Sequence, residues 1–440
     1  MPYRIALIFS LALLFVWSLP GVTALRYLLL LGGLCCLLPE LAWLPWRHWR
    51  SLIAPLASLG LLTAWLLYQA VFIAPEPAWV RGELTGQWLP GLLALGLGLL
   101  LGRASVRREV QDMEPWGAAW LPLGIVLVLA SQALITIVHA VVYWFQTGAL
   151  LVQVVPLTGG KLEMSFILNI LLAFLAVDLF GRASRRGRLL PVPLVVTLAL
   201  LVTALISLFL AGARNGLIGL VFLFTSATYL FLYDQRQRVG LLRAGGIALS
   251  ITALVAIFAF ISIKADPRWQ HFSETARLAW DIDGHDAWQG GRPMPLLVDG
   301  SPADASAYLR ISWLRVGARL ISENPLGVGY GRNAFAHALR PHYPVQLGHA
   351  HSGFVDLGVG GGIPATISWL AFVASLVWLG WRSFSHRHCL IGLLLIFLAS
   401  GFSGRMVLDS VNRDHMLQIF FFLSGVLLVL ANHTGQLDGN

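Results

Sequence analysis

The chain has 440 residues, of which 57% are hydrophobic and only 12% are charged, and its mean hydropathy is +0.75. Soluble globular domains carry about 25% charged residues, so the composition excludes an ordinary soluble protein and predicts a polytopic membrane protein. The formal net charge is +9, but the basic residues are divided among the connections between apolar runs. That distribution argues against nucleic acid as a partner.

Apolar runs that can cross a membrane, which takes about 20 residues, recur along the chain and predict about twelve transmembrane helices. The predicted fold class is all-α, a polytopic integral membrane protein with one large periplasmic loop. The predicted spans cover residues 5–19, 22–38, 51–73, 89–101, 116–145, 165–180, 190–211, 216–233, 245–263, 364–381, 389–402 and 416–431. They divide the chain into helices 1–9 (1–263), the large loop (264–351), and a re-entrant segment with helices 10–12 (352–440).

Arginines are concentrated in alternate connections, which predicts the orientation of the chain. Fifteen belong to one side: Arg4, Arg47, Arg50, Arg103, Arg107, Arg108, Arg182, Arg185, Arg186, Arg188, Arg236, Arg238, Arg243, Arg382 and Arg387. Short cytoplasmic loops retain Lys and Arg. Both termini are therefore predicted to be cytoplasmic, and the large loop is predicted to face outward.

Arg214 lies in a tight connection between two apolar runs, in the sequence LAGARNG (210–216). Its guanidinium must lie near the outer membrane boundary, where it can snorkel to a lipid headgroup. The alternative is a functional role, because a fork of donors suits a phosphate or diphosphate.

Arg310, Arg315 and Arg319 lie in a stretch of the large loop with helical spacing of apolar residues. Each of them alone is compatible with a charge that faces solvent or lipid headgroups. Spacing does not choose among the three as an anion-binding residue.

The large loop ends in the pair His349 and His351, followed by a short apolar run that glycines interrupt before the next span. Such a run predicts a re-entrant segment, whose first N–H groups can face an anion. A neutral histidine at this position can take a proton from a hydroxyl, whereas the structural alternative is a histidine that only caps the loop. Asp356, inside the apolar run, is a candidate for orienting a partner.

Metal and nucleotide sites are not predicted. The acidic segment 281–286 lacks the spacing and the closing glutamate of a calcium loop, and the chain has no His-Glu-x-x-His pattern. The glycine-rich segment 325–331 has neither of the common phosphate-loop patterns, and is predicted to be a turn-rich loop.

A combination of residues in and after the large loop resembles the O-antigen ligase family, which also contains O-antigen polymerases. The residues that carry the resemblance are Arg310, Pro325, the segment LGVGYG (326–331), Phe335, His351, Ser352 and Gly362, together with Arg214 and the twelve-span layout. Two positions depart from the usual pattern. Gly360 stands where members commonly have an acidic residue, and Ser352 stands where they often have Asn.

The resemblance implies a glycosyltransferase of the bacterial inner membrane. It would transfer O-antigen polysaccharide from undecaprenyl diphosphate to lipid A-core oligosaccharide at the periplasmic face, without metal, nucleotide or other cofactor. His351 is expected to act as general base with inversion, and Arg214 and Arg310 are expected to bind the diphosphate. The expected substrate-binding residues are His349, Arg315, Arg319 and Asp356, and either histidine can be the base.

Three other functions stay open at this point. A polymerase of the same family would use the same donor and another acceptor. A transporter or flippase is disfavoured because few ionisable residues lie inside the predicted spans. A purely structural scaffold would not need outward arginines and histidines at one level of the membrane.

Overall fold

The computed structural model describes residues 2–43, 52–110, 120–149, 155–212, 214–235, 240–265, 271–343, 348–387 and 389–433. It is 79% helical, with no strand in these ranges, so the all-α prediction is confirmed. The α-helices of these ranges are α1 (Pro2–Val16), α2 (Thr23–Leu37), α3 (Ile53–Phe72), α4 (Pro77–Glu83), α5 (Leu89–Val110), α6 (Leu121–Thr147), α7 (Lys161–Ala183), α8 (Leu194–Ala211), α9 (Arg214–Gln235), α10 (Leu241–Ala265), α11 (Phe272–Trp280), α12 (Ala305–Glu323), α13 (Ala334–Leu339), α14 (Gly353–Arg387), α15 (Leu390–Leu408) and α16 (Asp414–His433).

Nine candidate membrane spans, formed by α2, α3, α4 with α5, α6, α7, α8, α14, α15 and α16, are long and apolar enough to cross a membrane within the described residues. Helix α1 and most of α9 are apolar but shorter. This confirms a polytopic membrane protein. Each predicted span falls on a helix of the structure, whereas the count of twelve spans stays a prediction.

The first and last described residues, Pro2 and His433, lie at the end of the bundle opposite the large loop. Helix α5 begins beside that loop, where the Gln87 amide donates to the Tyr330 hydroxyl (2.8 Å). Towards the other end of α5, the hydroxyls of Ser105 and Tyr3 are 3.0 Å apart, which ties α1 to the opposite end. Helix α16 starts at the loop end and runs away from it. Of the predicted cytoplasmic arginines, Arg47, Arg50, Arg236 and Arg238 lie outside the described residues.

The large loop is a packed unit with its own hydrophobic core. Trp288, Tyr308, Trp313 and Phe335 are buried together, and the core extends to Val355 of α14. The Trp313 indole N–H donates to the carbonyl of Trp288 (2.8 Å). This packing fixes α12 against the start of α14.

Two glycine-rich segments that are far apart in sequence pair with each other. The N–H groups of Val328 and Gly329 donate to the carbonyls of Val359 (3.0 Å) and Gly360 (2.9 Å). Gly362 breaks α14 with φ 75° and ψ −174°, so the predicted re-entrant segment is a short helix, 353–361, followed by the predicted span. Its entry into the membrane stays a prediction.

Helix α3 supports this break with two polar side chains. The Trp65 indole donates to the carbonyl of Gly361 (2.6 Å). The Gln69 amide donates to the carbonyls of Leu326 (2.8 Å) and Gly360 (2.7 Å). Carbonyls freed by a broken helix must be paired inside the protein where water is excluded, and these two side chains meet that need.

An ion-pair network holds the large loop on the bundle. Arg332 of the loop donates from Nε to the carboxylate of Glu83 in α4 (2.9 Å) and from Nη1 to Asp414 in α16 (3.2 Å). Glu83 is buried, and its hydrogen bonds raise the pKa of Arg332 above its ordinary value. The network joins three distant parts of the chain.

Candidate active site at the loop end of the bundle

His351 lies two residues before α14, and its backbone is left-handed, with φ 52°. A non-glycine residue in this region costs about 1–3 kcal/mol, and such strain is concentrated at functional sites. The imidazole stacks on the indole of Trp313, with ring centroids 5.5 Å apart and an interplanar angle of 12°. The next residue, Ser352, is buried and donates to the carbonyl of Met406 in α15 (3.1 Å). The ring is therefore held between the large loop and the bundle.

Arg310 lies three residues before Trp313 on α12, so the two side chains share one face of the helix. Its Nη1 donates to the hydroxyl of Ser306 one turn earlier (2.5 Å). Asp304 caps α12 by accepting from the N–H of Ala307 (2.8 Å). Because His351 stacks on Trp313, this face of α12 brings the guanidinium and the imidazole into one site.

The two histidines are adjacent in space, with ring centroids 4.3 Å apart. Asp356, which is buried in the first turn of α14, fixes the segment between them. One of its oxygens accepts from the N–H of Ala350 (2.9 Å), and the other accepts from the hydroxyl of Ser410. With both oxygens engaged inside the protein, Asp356 holds the segment between His349 and His351 in place. Its role in substrate binding stays a prediction.

Both histidines are held in the neutral form at neutral pH. Burial lowers the pKa of His351, and the positive charges of Arg310 and Arg413 lower it further, while Asp409 opposes them. Burial, with the charge of Arg413, lowers the pKa of His349 to about 3. A neutral imidazole can accept a proton from a hydroxyl, so His351 has the protonation state that a general base requires.

The connection between α15 and α16, residues 409–413, completes the site; we call it the 409–413 loop. The N–H of Gly353 donates to the carbonyl of Asp409 (3.0 Å), and the amide of Asn412 donates to the carbonyl of Gly353 (3.0 Å). The loop ends at Arg413, whose Nε donates to Asp414 (3.1 Å). It packs directly on the residues that follow His351.

Sequence reasoning missed this loop as part of the site. One feature of the sequence could have indicated it, namely the high density of ionisable residues between the last two predicted spans. Those residues are Arg405, Asp409, Arg413, Asp414 and His415. So many charged groups beside apolar helices indicate a polar site, but the sequence does not reveal that Asp409 and Arg413 lie beside His351.

Helix α9 begins at Arg214, whose side chain lies outside the described residues. The start of α9 packs closely on α7, since a Cβ at Gly216 would lie 2.9 Å from the Cβ of Ser165. Arg405 donates to the hydroxyl of Ser165 (2.5 Å) and to Asp409 (3.2 Å). These contacts link the backbone of Arg214 to the 409–413 loop at the same end of the bundle.

Arg315 and Arg319 lie on the side of α12 opposite Arg310. At about 100° per residue they are turned roughly 140° and 180° from it. The guanidinium of Arg315 lies 5.6 Å from the ring centroid of Trp280, and Arg319 donates to the exposed carboxylate of Asp283 (2.8 Å). The structure therefore does not bring these two arginines to His351, and their role in substrate binding stays a prediction.

Among the described residues, no group of three or more His, Cys, Asp or Glu side chains is arranged to hold a metal ion. The metal-free chemistry stays a prediction.

Residues 198–370 match the family model described as O-antigen ligase, which confirms the resemblance found in the sequence. The matched range contains Arg214, Arg310 and His351, and it ends before the 409–413 loop. No curated protein matches the chain.

Proposed function

We propose that this chain, whose residues 198–370 match the family model described as O-antigen ligase, is a glycosyltransferase. It transfers O-antigen polysaccharide from undecaprenyl diphosphate to a hydroxyl of lipid A-core oligosaccharide. The observation that carries the proposal is the position of the neutral imidazole of His351, which stacks on Trp313. Trp313 lies one turn after Arg310 on α12. This pairs a proton acceptor with a cation that can bind phosphate.

The reaction is a direct displacement at the anomeric carbon of the glycan. The acceptor oxygen forms the new bond to that carbon while the bond from carbon to diphosphate oxygen breaks. The electron pair of the broken bond leaves with the diphosphate, and the hydroxyl proton passes to His351. One displacement inverts the anomeric configuration. Arg310 and Arg214 stabilise the charge that develops on the leaving group.

The protein is proposed to lie in the bacterial inner membrane with both termini in the cytoplasm. Two observations support this orientation. The first and last described residues, Pro2 and His433, share the end opposite the large loop, and the described arginines of that end, among them Arg103, Arg182 and Arg382, agree with the positive-inside rule. The site then faces the periplasm, where two lipid-linked substrates can meet at the headgroup level.

A transporter is the competing class, and the surroundings of Asp178 in α7 argue against it. The carboxylate accepts from the N–H groups of Leu189 and Leu190 (both 2.9 Å), from the Thr197 hydroxyl (2.8 Å) and from Arg182 (2.7 Å). A carboxylate with four hydrogen-bond donors has a structural role, which is to hold the connection between α7 and α8. An ion carrier instead needs a carboxylate that can release its protein partners and bind the transported ion.

The proposal is tested by glycan transfer from a lipid diphosphate donor to lipid A-core, with purified protein in lipid vesicles. Loss of a general base typically slows a reaction by about 10²–10⁴-fold, and we expect His351→Ala to fall in this range. The matched control is His271→Ala, which removes an exposed histidine of the same loop that lies 3.6 Å from Asp299. Near-normal transfer by His351→Ala would contradict the general-base role.

The two arginines are tested by lysine substitutions, which retain the charge but lose the planar fork of donors. We expect Arg214→Lys and Arg310→Lys to weaken transfer. Full activity of both variants would contradict the proposed binding of the leaving group. Transfer should also persist in excess EDTA, and its loss would favour a metal-dependent reaction.

A polymerase of the same family is the close alternative, because it would use the same donor chemistry. The two functions differ in the lipopolysaccharide of a strain that lacks the gene. Long lipid-linked polymer together with bare core indicates a ligase, whereas core that bears a single repeat unit indicates a polymerase.

A further inference from the structure

Arg413 occupies a central position among the ionisable groups of the site. It ends the 409–413 loop, which Ser410 ties to Asp356 and Asn412 ties to Gly353. Its positive charge lowers the pKa of both His349 and His351. Arg413 therefore faces the segment that carries the proposed base, although it lies outside the range that matches the family.

The guanidinium of Arg413 is only partly used within the protein. Its Nε donates to Asp414 (3.1 Å), whereas its Nη1 is buried and has no hydrogen-bond partner among the described residues. A buried N–H donor without a partner is costly, so native structures rarely retain one unless it serves a function or is satisfied by a bound group. Because the proposed substrate is anionic, a hydrogen-bond acceptor on that substrate would satisfy the Nη1 donor of Arg413.

The neighbouring carboxylates already have other cationic partners. Asp414 also accepts from Arg332 (3.2 Å), and Asp409 accepts from Arg405 (3.2 Å). Since the charge of Asp414 is shared between two arginines, part of the positive charge of Arg413 is left to act on a ligand.

We propose that Arg413 is a third cation for the diphosphate leaving group, with Nε anchored on Asp414 and Nη1 donating to a phosphate oxygen. This inference rests on the proposed function. Arg413 itself neither gives nor takes a proton, since the hydroxyl proton passes to His351 in the same displacement. When the bond from the anomeric carbon to oxygen breaks, the electron pair stays on the diphosphate, and Arg413 binds the oxygens that gain negative charge. The planar guanidinium suits this double task because its donors point in fixed directions.

The first test measures binding of inorganic pyrophosphate to the purified full-length protein by titration calorimetry. The variants are Arg413→Gln and Arg413→Lys, and the control is Arg277→Gln, which removes an exposed arginine of α11. Loss of a charge-assisted hydrogen bond corresponds to about ten- to hundredfold in affinity. We expect a loss of this size in Arg413→Gln, a smaller loss in Arg413→Lys, and no change in the control.

Kinetics of glycan transfer provide a second readout that a purely structural role would not move. The groups that face His351 are Arg310 from α12, Asp409 and Arg413 from the 409–413 loop, and His349. Removing the charge of Arg413 should let the pKa of His351 rise. The acid limb of kcat/KM should then move to higher pH in Arg413→Gln and stay in place in Arg413→Lys.

The outcomes separate this inference from the proposed function. If the wild-type protein transfers glycan and Arg413→Gln binds pyrophosphate as tightly as wild type, the role of Arg413 is wrong while the function stands. If pyrophosphate binding depends on Arg413 but the wild-type protein transfers no glycan, the anion site is supported and the proposed function is wrong. Should Arg413→Gln not fold, Arg413→Lys keeps the ion pair with Asp414, and its unchanged affinity for pyrophosphate would overturn the proposal.

Discussion

Substitution of Gly362 by alanine tests whether the pairing of the two glycine-rich segments builds the site. A Cβ at this position would lie 2.4 Å from the carbonyl carbon of Leu326, 2.5 Å from the carbonyl oxygen of Pro325 and 2.7 Å from the nitrogen of Gly327. All three are backbone atoms, so no side-chain rotation can relieve the contact. The φ of 75° adds a further penalty for alanine.

The expected loss of stability follows from these two terms. The backbone of Gly362, with φ 75° and ψ −174°, lies in a region that essentially only glycine adopts, and holding another residue there costs about 1–3 kcal/mol. Overpacking a filled site costs about 1–3 kcal/mol more, so the two terms predict a loss of about 2–6 kcal/mol for Gly362→Ala. Glycan transfer should also fall, because relief of the contact moves the helix 353–361, which carries Asp356.

The assay measures the midpoint of thermal unfolding in detergent, which is monitored as the loss of monodisperse protein on size-exclusion chromatography. Gly60→Ala is the matched control, because Gly60 lies inside α3 and has no atom within 4 Å of an added Cβ. The control should be neutral or slightly stabilising. Equal midpoints for the two variants would refute the reasoning.

Two further predictions concern buried polar groups near the site. Gln69→Leu leaves the carbonyl of Leu326 without its side-chain donor, whereas the carbonyl of Gly360 keeps the N–H of Gly329. The loss should cost about 1–3 kcal/mol and be measurable as a lower unfolding midpoint. Burial lowers the pKa of His349 from 6.5 to about 3. Between these two pH values His349 is protonated in the unfolded chain but neutral in the folded chain. Stability should therefore be complete above pH 6.5 and fall as the pH drops towards 3; His349→Gln should flatten that part of the profile.

The sequence predicts the helices of this fold well because the length of an apolar run can be determined from neighbouring residues alone. Every predicted span falls on a helix. In the structure, Arg310 shares a face of α12 with Trp313, and Arg315 and Arg319 point elsewhere. Helical spacing fixes those directions, so this difference among the three arginines was available from the sequence although it was not predicted.

Contacts between distant segments could not be predicted from the sequence. The ion pair between Glu83 and Arg332, and the hydrogen bond from Ser410 to Asp356, depend on which helices pack together. Local patterns carry no information on that choice. For the same reason the sequence does not predict the burial of Asp356 or its bond to Ala350, and a role of Asp356 in substrate binding stays a prediction.

The break at Gly362 and the proposed base at His351 are two parts of one arrangement. His351 lies two residues before the helix 353–361, and Asp356 lies in the first turn of that helix. The end of the helix is held by the 325–331 segment and by Trp65 and Gln69 of α3. An unbroken helix would bond its own carbonyls at this point and leave none for the 325–331 segment to pair with, so the large loop could not pack there. Because the packing of that loop brings Trp313 against His351, the glycines after the histidine determine the position of the proposed base without contacting it.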